Sequence, residues 1–166
     1  MVSFSKKQQN AFFFLAGFFL IFAALQFFIL ILDFSALNNA LASLQGNWLD
    51  LPVTANRLAV SGGVFSIDNS CTGLVSAAIL AAVVFSVKKP GLKTKFKLWL
   101  VSAAILFVLN LLRLYLVLWT GKHFGVATAE TVHTVSWIST AVFILIVWFF
   151  LTKKIAGVRH PSELVE

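Results

Sequence analysis

The side chains of this sequence that could do chemistry are few, because nearly everything around them is apolar. Cys71 is the only cysteine, and it follows Ile67-Asp-Asn-Ser70 at the start of an apolar run. A single cysteine excludes an internal disulfide framework and a multi-thiolate metal site. What remains is a small packing residue or a reactive thiol. Its position at a predicted helix start favours reactivity, since backbone N–H groups and the helix dipole stabilise a thiolate there. Asp68, Asn69 and Ser70 are all suitable caps for that helix. Thr72 and Gly73 follow the thiol, and the glycine lets a substrate backbone approach closely.

Arg113 is the second candidate. An arginine inside an apolar helix costs ~2.5–3.5 kcal/mol on insertion scales, so such residues usually face a bundle interior or a watery cavity. It precedes Trp119 by six residues, about 9 Å of helix. Snorkelling to the interface is the plainer account. Asn110, at i−3, lies on the same helical face and favours an inward-facing polar pair. His133 opens the last apolar run, where a histidine is commonly just an interfacial residue. His123 and Glu130 share the short connection before it and compete for the same role. A thiol, an imidazole and a guanidinium together suit cysteine acyl transfer, in which the thiolate attacks a carbonyl, the imidazole moves protons and the cation holds the oxyanion. One cysteine and two histidines make a poor metal ligand set, so no metal is expected.

These residues need a frame, and composition says what kind. The chain has 166 residues, of which 60% are hydrophobic and 11% charged, with 18 phenylalanines. Typical soluble proteins carry about 25% charged residues. A mean hydropathy of +0.94 leaves too little polar surface for a soluble globule, and a soluble enzyme or nucleic-acid reader is excluded. Four runs approach the roughly 20 residues that a membrane-spanning helix needs: 11–32, 71–87, 98–119 and 134–151. They are continuous, not alternating, which excludes barrel strands. The expectation is an all-α integral membrane protein, a four-helix transmembrane bundle forming one domain.

Lysines orient it. Lys6, Lys7, Lys88, Lys89, Lys93, Lys95, Lys97, Lys153, Lys154 and Arg159 fall on one side of the predicted bundle, ten of the 13 basic residues; Arg57 and Lys122 fall opposite. The positive-inside rule then places both termini and the basic loop 88–97 in the cytoplasm. Cys71, Arg113 and His133 all fall in the outer half. Ala40-Leu41-Ala42 resembles a signal-peptidase site, but the 11–32 run is too long for an ordinary signal peptide and an uncleaved helix is expected. In the extracytoplasmic loop 33–70, Leu37, Leu41, Leu44 and Trp48 recur at helical spacing and predict an interfacial helix. Val60 to Asp68, interrupted by Gly62-Gly63, suggests a short hairpin.

Cys71-Thr-Gly73 at a helix start, Asn110-Leu-Leu-Arg113 within the next helix and His133 opening the one after resemble the exosortase/archaeosortase family of membrane cysteine transpeptidases. Val64-Phe-Ser-Ile-Asp-Asn-Ser70 is also similar to that family's lead-in to the cysteine, and the likeness covers roughly residues 60–151. The resemblance implies that Cys71, Arg113 and His133 are the catalytic residues. Asn110, Thr72, Gly73 and Asp68 are the supporting positions beside them. Substrates would be exported proteins whose C-terminal sorting signal is a short motif, a transmembrane helix and a basic tail. Cleavage outside the cytoplasmic membrane of a prokaryote would pass the new carboxyl end to a lipid or other acceptor. Many members have more helices, so this chain resembles a compact catalytic core, and a homo-oligomer could complete it. No cofactor and no nucleic-acid partner are expected. The alternatives are a non-enzymatic multi-pass subunit, in which Arg113 and Asn110 tie helices together, and a membrane protease that only hydrolyses.

Overall fold

The computed structural model describes residues 6–157; Arg159, one of the orienting basic residues, lies outside them. The chain runs α1 (Lys6–Ile31), α2 (Ser35–Leu49), three short strands β1 (Val53–Thr54), β2 (Arg57–Val60) and β3 (Gly63–Ser66), a 3-10 turn (Asn69–Thr72), and then α3 (Leu74–Ser86), α4 (Leu92–Phe124) and α5 (Val126–Ala156).

Among the described residues, α1, α4 and α5 are long and apolar enough to cross a membrane. The run 71–87 yields a helix of only 13 residues, α3, about 20 Å long against a hydrocarbon core of about 30 Å. Its shortness has a local cause: Gly73 sits in the left-handed region at φ 84, so the α-helix cannot start before Leu74. The long helices exceed their expected bounds. Helix α4 begins at Leu92, after Pro90 and Gly91, so Lys93, Lys95 and Lys97 stand on its first turns and not in a loop. Lys95 is buried there and donates to the Val87 carbonyl at the end of α3. At the other end one residue, Gly125 (φ 89), joins α4 to α5. His123 therefore lies in the last turn of α4 and Glu130 and His133 on α5, where a loop and a helix start were expected.

Helix α2 forms where the leucine spacing predicts a helix, but its buried face is turned. Asn38, Leu41, Ala42, Gln45, Gly46 and Leu49 face inward, while Trp48 is 53% exposed. This i, i+3, i+4, i+7 stripe carries two amides whose N–H groups find partners, while the carbonyl oxygens of Asn38 and Gln45 are buried with none among the described residues. Gln45 Nε2 donates to the Leu111 carbonyl and Asn38 Nδ2 to Asn69 Oδ1. The hairpin exists within a three-stranded antiparallel meander, β1-β2-β3, so the fold is not purely helical. Its turn is Ser61-Gly62, with Gly63 already the first residue of β3. Helix α2, the sheet and the ends of α4 and α5 enclose one core, containing Leu41, Leu58, Phe65, Ile67, Cys71 and Leu118. A second core, with Leu80, Val84, Leu98, Leu106 and Ile144, joins α3, α4 and α5 nearer the lysine-rich end.

Close packing of α2 on β1 depends on Gly46. A Cβ there would run into Val53 Cγ2 and come within 3.2 Å of the Leu51 carbonyl. Gly46→Ala is expected to lower stability by about 1–3 kcal/mol through overpacking. Melting in detergent micelles checks this, and Val53→Ala in the same chain should recover part of the loss.

Candidate active site

The turn that carries Cys71 is built by its neighbours. Asp68 has extended backbone, and its carboxylate accepts from the N–H of Ser70 at 2.9 Å and of Cys71 at 3.2 Å, and from the Ser70 hydroxyl. Asp68 thus caps the 3-10 turn, as an N-cap carboxylate should, while the longer helix and its dipole begin only at Leu74. Asn69 pins the turn between helices: it accepts from Asn38 of α2 at 3.0 Å and donates to the Ile29 carbonyl of α1 at 3.2 Å. Thr72 is 1% exposed, and its hydroxyl donates to the Asn69 carbonyl and accepts from the Leu74 N–H. It is a strut of the turn, in keeping with a supporting position beside the thiol. Gly73 likewise meets the Asn110 side chain, which would lie 3.4 Å from an added Cβ.

From Cys71 one polar chain runs across α4 to α5. Asn110 Nδ2 donates to the Cys71 carbonyl at 2.7 Å. Its Oδ1 accepts from Arg113 Nη1 at 3.2 Å. Arg113 Nη2 lies 3.3 Å from His133 Nδ1, and Nε donates to the Ser136 hydroxyl at 2.6 Å. Ser136 in turn donates to the His133 carbonyl. The guanidinium also lies over the Trp137 ring, 4.9 Å from its centre, an attractive cation–π geometry. Cys71, Asn110, Arg113, Gly73 and His133, drawn from three segments far apart in sequence, meet here.

His133 is held on three sides. Phe65 of β3 packs edge-on against it, ring centres 5.6 Å apart. The Trp137 indole N–H donates to Nε2 at 3.3 Å while Arg113 faces Nδ1. Both neighbours are donors only, and a neutral imidazole accepts at one nitrogen, so Arg113 and Trp137 compete for its lone pair. Ser136 and Trp137, at i+3 and i+4 from His133, were legible as one helical face but carried no signal beyond that spacing. Phe65 joins the site only through the sheet. His123 lies against Trp119, ring centres 4.8 Å apart, and Glu130 is exposed; neither belongs to the chain of contacts around Arg113. Among the described residues no three of His, Cys, Asp and Glu lie together as a metal site would require.

A cavity of about 320 Å³ opens between α4 and α5 beside these groups. Its apolar wall includes Leu109, Leu116 and Phe143, and its polar strip includes Asn110, Arg113 and Ser136. Cys71 itself is 3% exposed.

Burial alone would raise the Asp68 carboxyl, but hydrogen bonds from Ser70 and Cys71 outweigh it and hold the group below the ordinary carboxylate range. A carboxyl depressed by folding stabilises above its unfolded value and loses that contribution as pH falls through its folded value. Asp68→Ala is therefore expected to cost about 0.5–2 kcal/mol at neutral pH, the usual loss of a cap. The difference from wild type should shrink on acidification below about pH 4, read as melting temperature against pH.

A family model described as transmembrane exosortase (Exosortase_EpsH) matches residues 2–158. No curated protein and no solved structure matches the chain. The family match covers nearly the whole length, including α1, the sheet and every residue of the Cys71–His133 chain, and this protein belongs to the transmembrane exosortase family.

Proposed function

We propose that the protein is a membrane cysteine transpeptidase with Cys71 as nucleophile. The observation that carries this reading is the continuous polar path from the Cys71 carbonyl through Asn110 and Arg113 to His133, inside an otherwise apolar bundle. Cys71 attacks the scissile carbonyl, releasing the C-terminal part of the substrate and leaving a thioester. His133 takes the thiol proton and returns it to the leaving amine, then deprotonates the acceptor. Arg113 stabilises the oxyanion with N–H groups left over from its three fixed contacts, and Asn110 keeps it aimed. Asp68 and Gly73 shape the turn that presents the thiol.

Substrates in this reading are exported proteins ending in a short motif, an apolar helix and a basic tail. The cavity between α4 and α5 lies at the flank of the bundle, where such a helix reaches Arg113 from within the bilayer. The low exposure of Cys71 limits water at the thioester, which favours transfer to a lipid or other acceptor over hydrolysis. The lysine-rich end faces the cytoplasm of a prokaryotic cell and the sheet faces outward, in keeping with the positive-inside rule.

The contrary reading, a subunit in which Arg113 merely ties α4 to α5, draws on the same hydrogen bonds to Ser136 and His133. Co-expression with an exported reporter carrying a cognate C-terminal segment separates the two. Cys71→Ala should abolish processing. Arg113→Lys should lose about 100-fold or more in rate, because a point charge does not replace the planar fork. Normal processing by both variants would leave only the tie between helices.

A further inference from the structure

The outer edge of the sheet is open, and it adjoins the turn that holds Cys71. In an antiparallel ladder, successive residues direct their backbone groups to opposite neighbours. Ala59 N–H donates to the Pro52 carbonyl at 3.0 Å, and Arg57 pairs with Thr54, so both turn toward β1. Leu58 and Val60 then serve β3, through Phe65 and Gly63. Opposite Ala59 and Arg57 stand Val64 and Ser66, whose N–H and C=O groups must point away from β2. Among the described residues no further strand takes them up, since β3 ends the sheet order, and both residues are exposed, Val64 at 56%.

Protected edges usually carry a lysine, a proline or a bulge. Strand β3 is Gly63-Val-Phe-Ser66 and has none of these. Its hairpin is fixed in place, with the Ser61 N–H donating to Gly121 and the Ser61 carbonyl accepting from Val126 at the α4–α5 corner. Between the two open positions, Phe65 turns inward against His133. The strand then continues through Ile67 and Asp68 directly into the Cys71 turn.

Resting on the transpeptidase reading above, we propose that β3 receives the residues flanking the substrate's scissile bond as a fourth, extended strand, hydrogen-bonded to Val64 and Ser66. Strand addition supplies sequence-tolerant backbone contacts and leaves alternate side chains for recognition. Two open residues offer at most four hydrogen bonds, which suits a ligand that is held, cut and released better than a permanent dimer. The added strand lies beside Phe65 and runs toward the thiol, so binding and alignment of the scissile carbonyl are one event.

Proline tests the backbone directly, because neither the Val64 nor the Ser66 N–H serves the β2 ladder. With an exported reporter ending in the cognate motif, helix and basic tail, Val64→Pro and Ser66→Pro should each raise the half-saturating substrate level about tenfold, the loss of a backbone hydrogen bond. The maximal rate should stay within roughly twofold, the pattern of lost binding and not lost chemistry. Val64→Ala and Ser66→Ala, which keep the N–H, should each raise half-saturation far less than proline at the same position. A second measurement stands if a proline variant melts early: amide hydrogen exchange on the full-length Cys71→Ala protein in micelles. The Val64 and Ser66 amides should exchange freely alone and become protected when the reporter is added. Unchanged half-saturation in both proline variants, or no added protection, overturns the proposal. Protection that grows with protein concentration without reporter would assign the edge to a second copy and overturn it equally. Processing by Cys71→Ala at the wild-type rate would sink the enzyme reading instead, while the exchange result still judges the edge by itself.

Discussion

A guanidinium within an apolar helix is the constraint around which the rest is arranged. Arg113 carries a charge that a bilayer opposes by ~2.5–3.5 kcal/mol, and hydrogen bonds to a charged group contribute about 1.5–3 kcal/mol each. The structure surrounds it with Asn110, Ser136 and His133 and places the Trp137 ring against it. Those contacts fix α4 against α5 in one register. They also leave the remaining N–H groups beside the cavity between the two helices.

The other elements are best understood as means of bringing Cys71 to that group. Helices α4 and α5 are joined by Gly125 alone, so residues near the corner stay side by side. The turn bearing Cys71 is tied to α1 and α2 through Asn69 and to α4 through Asn110. Lys122 of α4 donates to the Leu49 carbonyl at the end of α2, holding that helix over the same core. Four segments therefore converge by hydrogen bonds between side chains and backbone carbonyls, a mode suited to a site with little water.

Much of this was legible in the sequence. Asn110 and Arg113 are three apart on one face, and that spacing alone gives their hydrogen bond. The apolar runs around residues 11–32, 98–119 and 134–151 gave three helices, with bounds too short because Lys93, Gly121 and Thr128 stand on helix ends that hydropathy does not register. The run 71–87 misled for the opposite reason: its composition is continuous, but the left-handed Gly73 breaks the helix, a backbone event invisible to hydropathy. The face of α2 was turned because Leu37 and Trp48 outweighed Asn38 and Gln45 in the pattern, although each amide donates a hydrogen bond inside. Thr72 looked like part of a motif, and only the turn's hydrogen bonds assign it a structural task. Phe65 and the open edge of β3 depend on pairing across the meander, which sequence periodicity over four residues does not encode.

In the proposed reaction Cys71 bonds covalently to its substrate through a carbonyl. Hydroxylamine added to membranes containing the protein and a reporter substrate interrogates that bond, since it attacks thioesters readily and peptide bonds poorly. A thioester at Cys71 yields a reporter whose new C-terminus is a hydroxamic acid, formed with wild-type protein and absent with Cys71→Ala. Processed reporter that never carries a hydroxamate, at any hydroxylamine concentration, would contradict a thioester at Cys71.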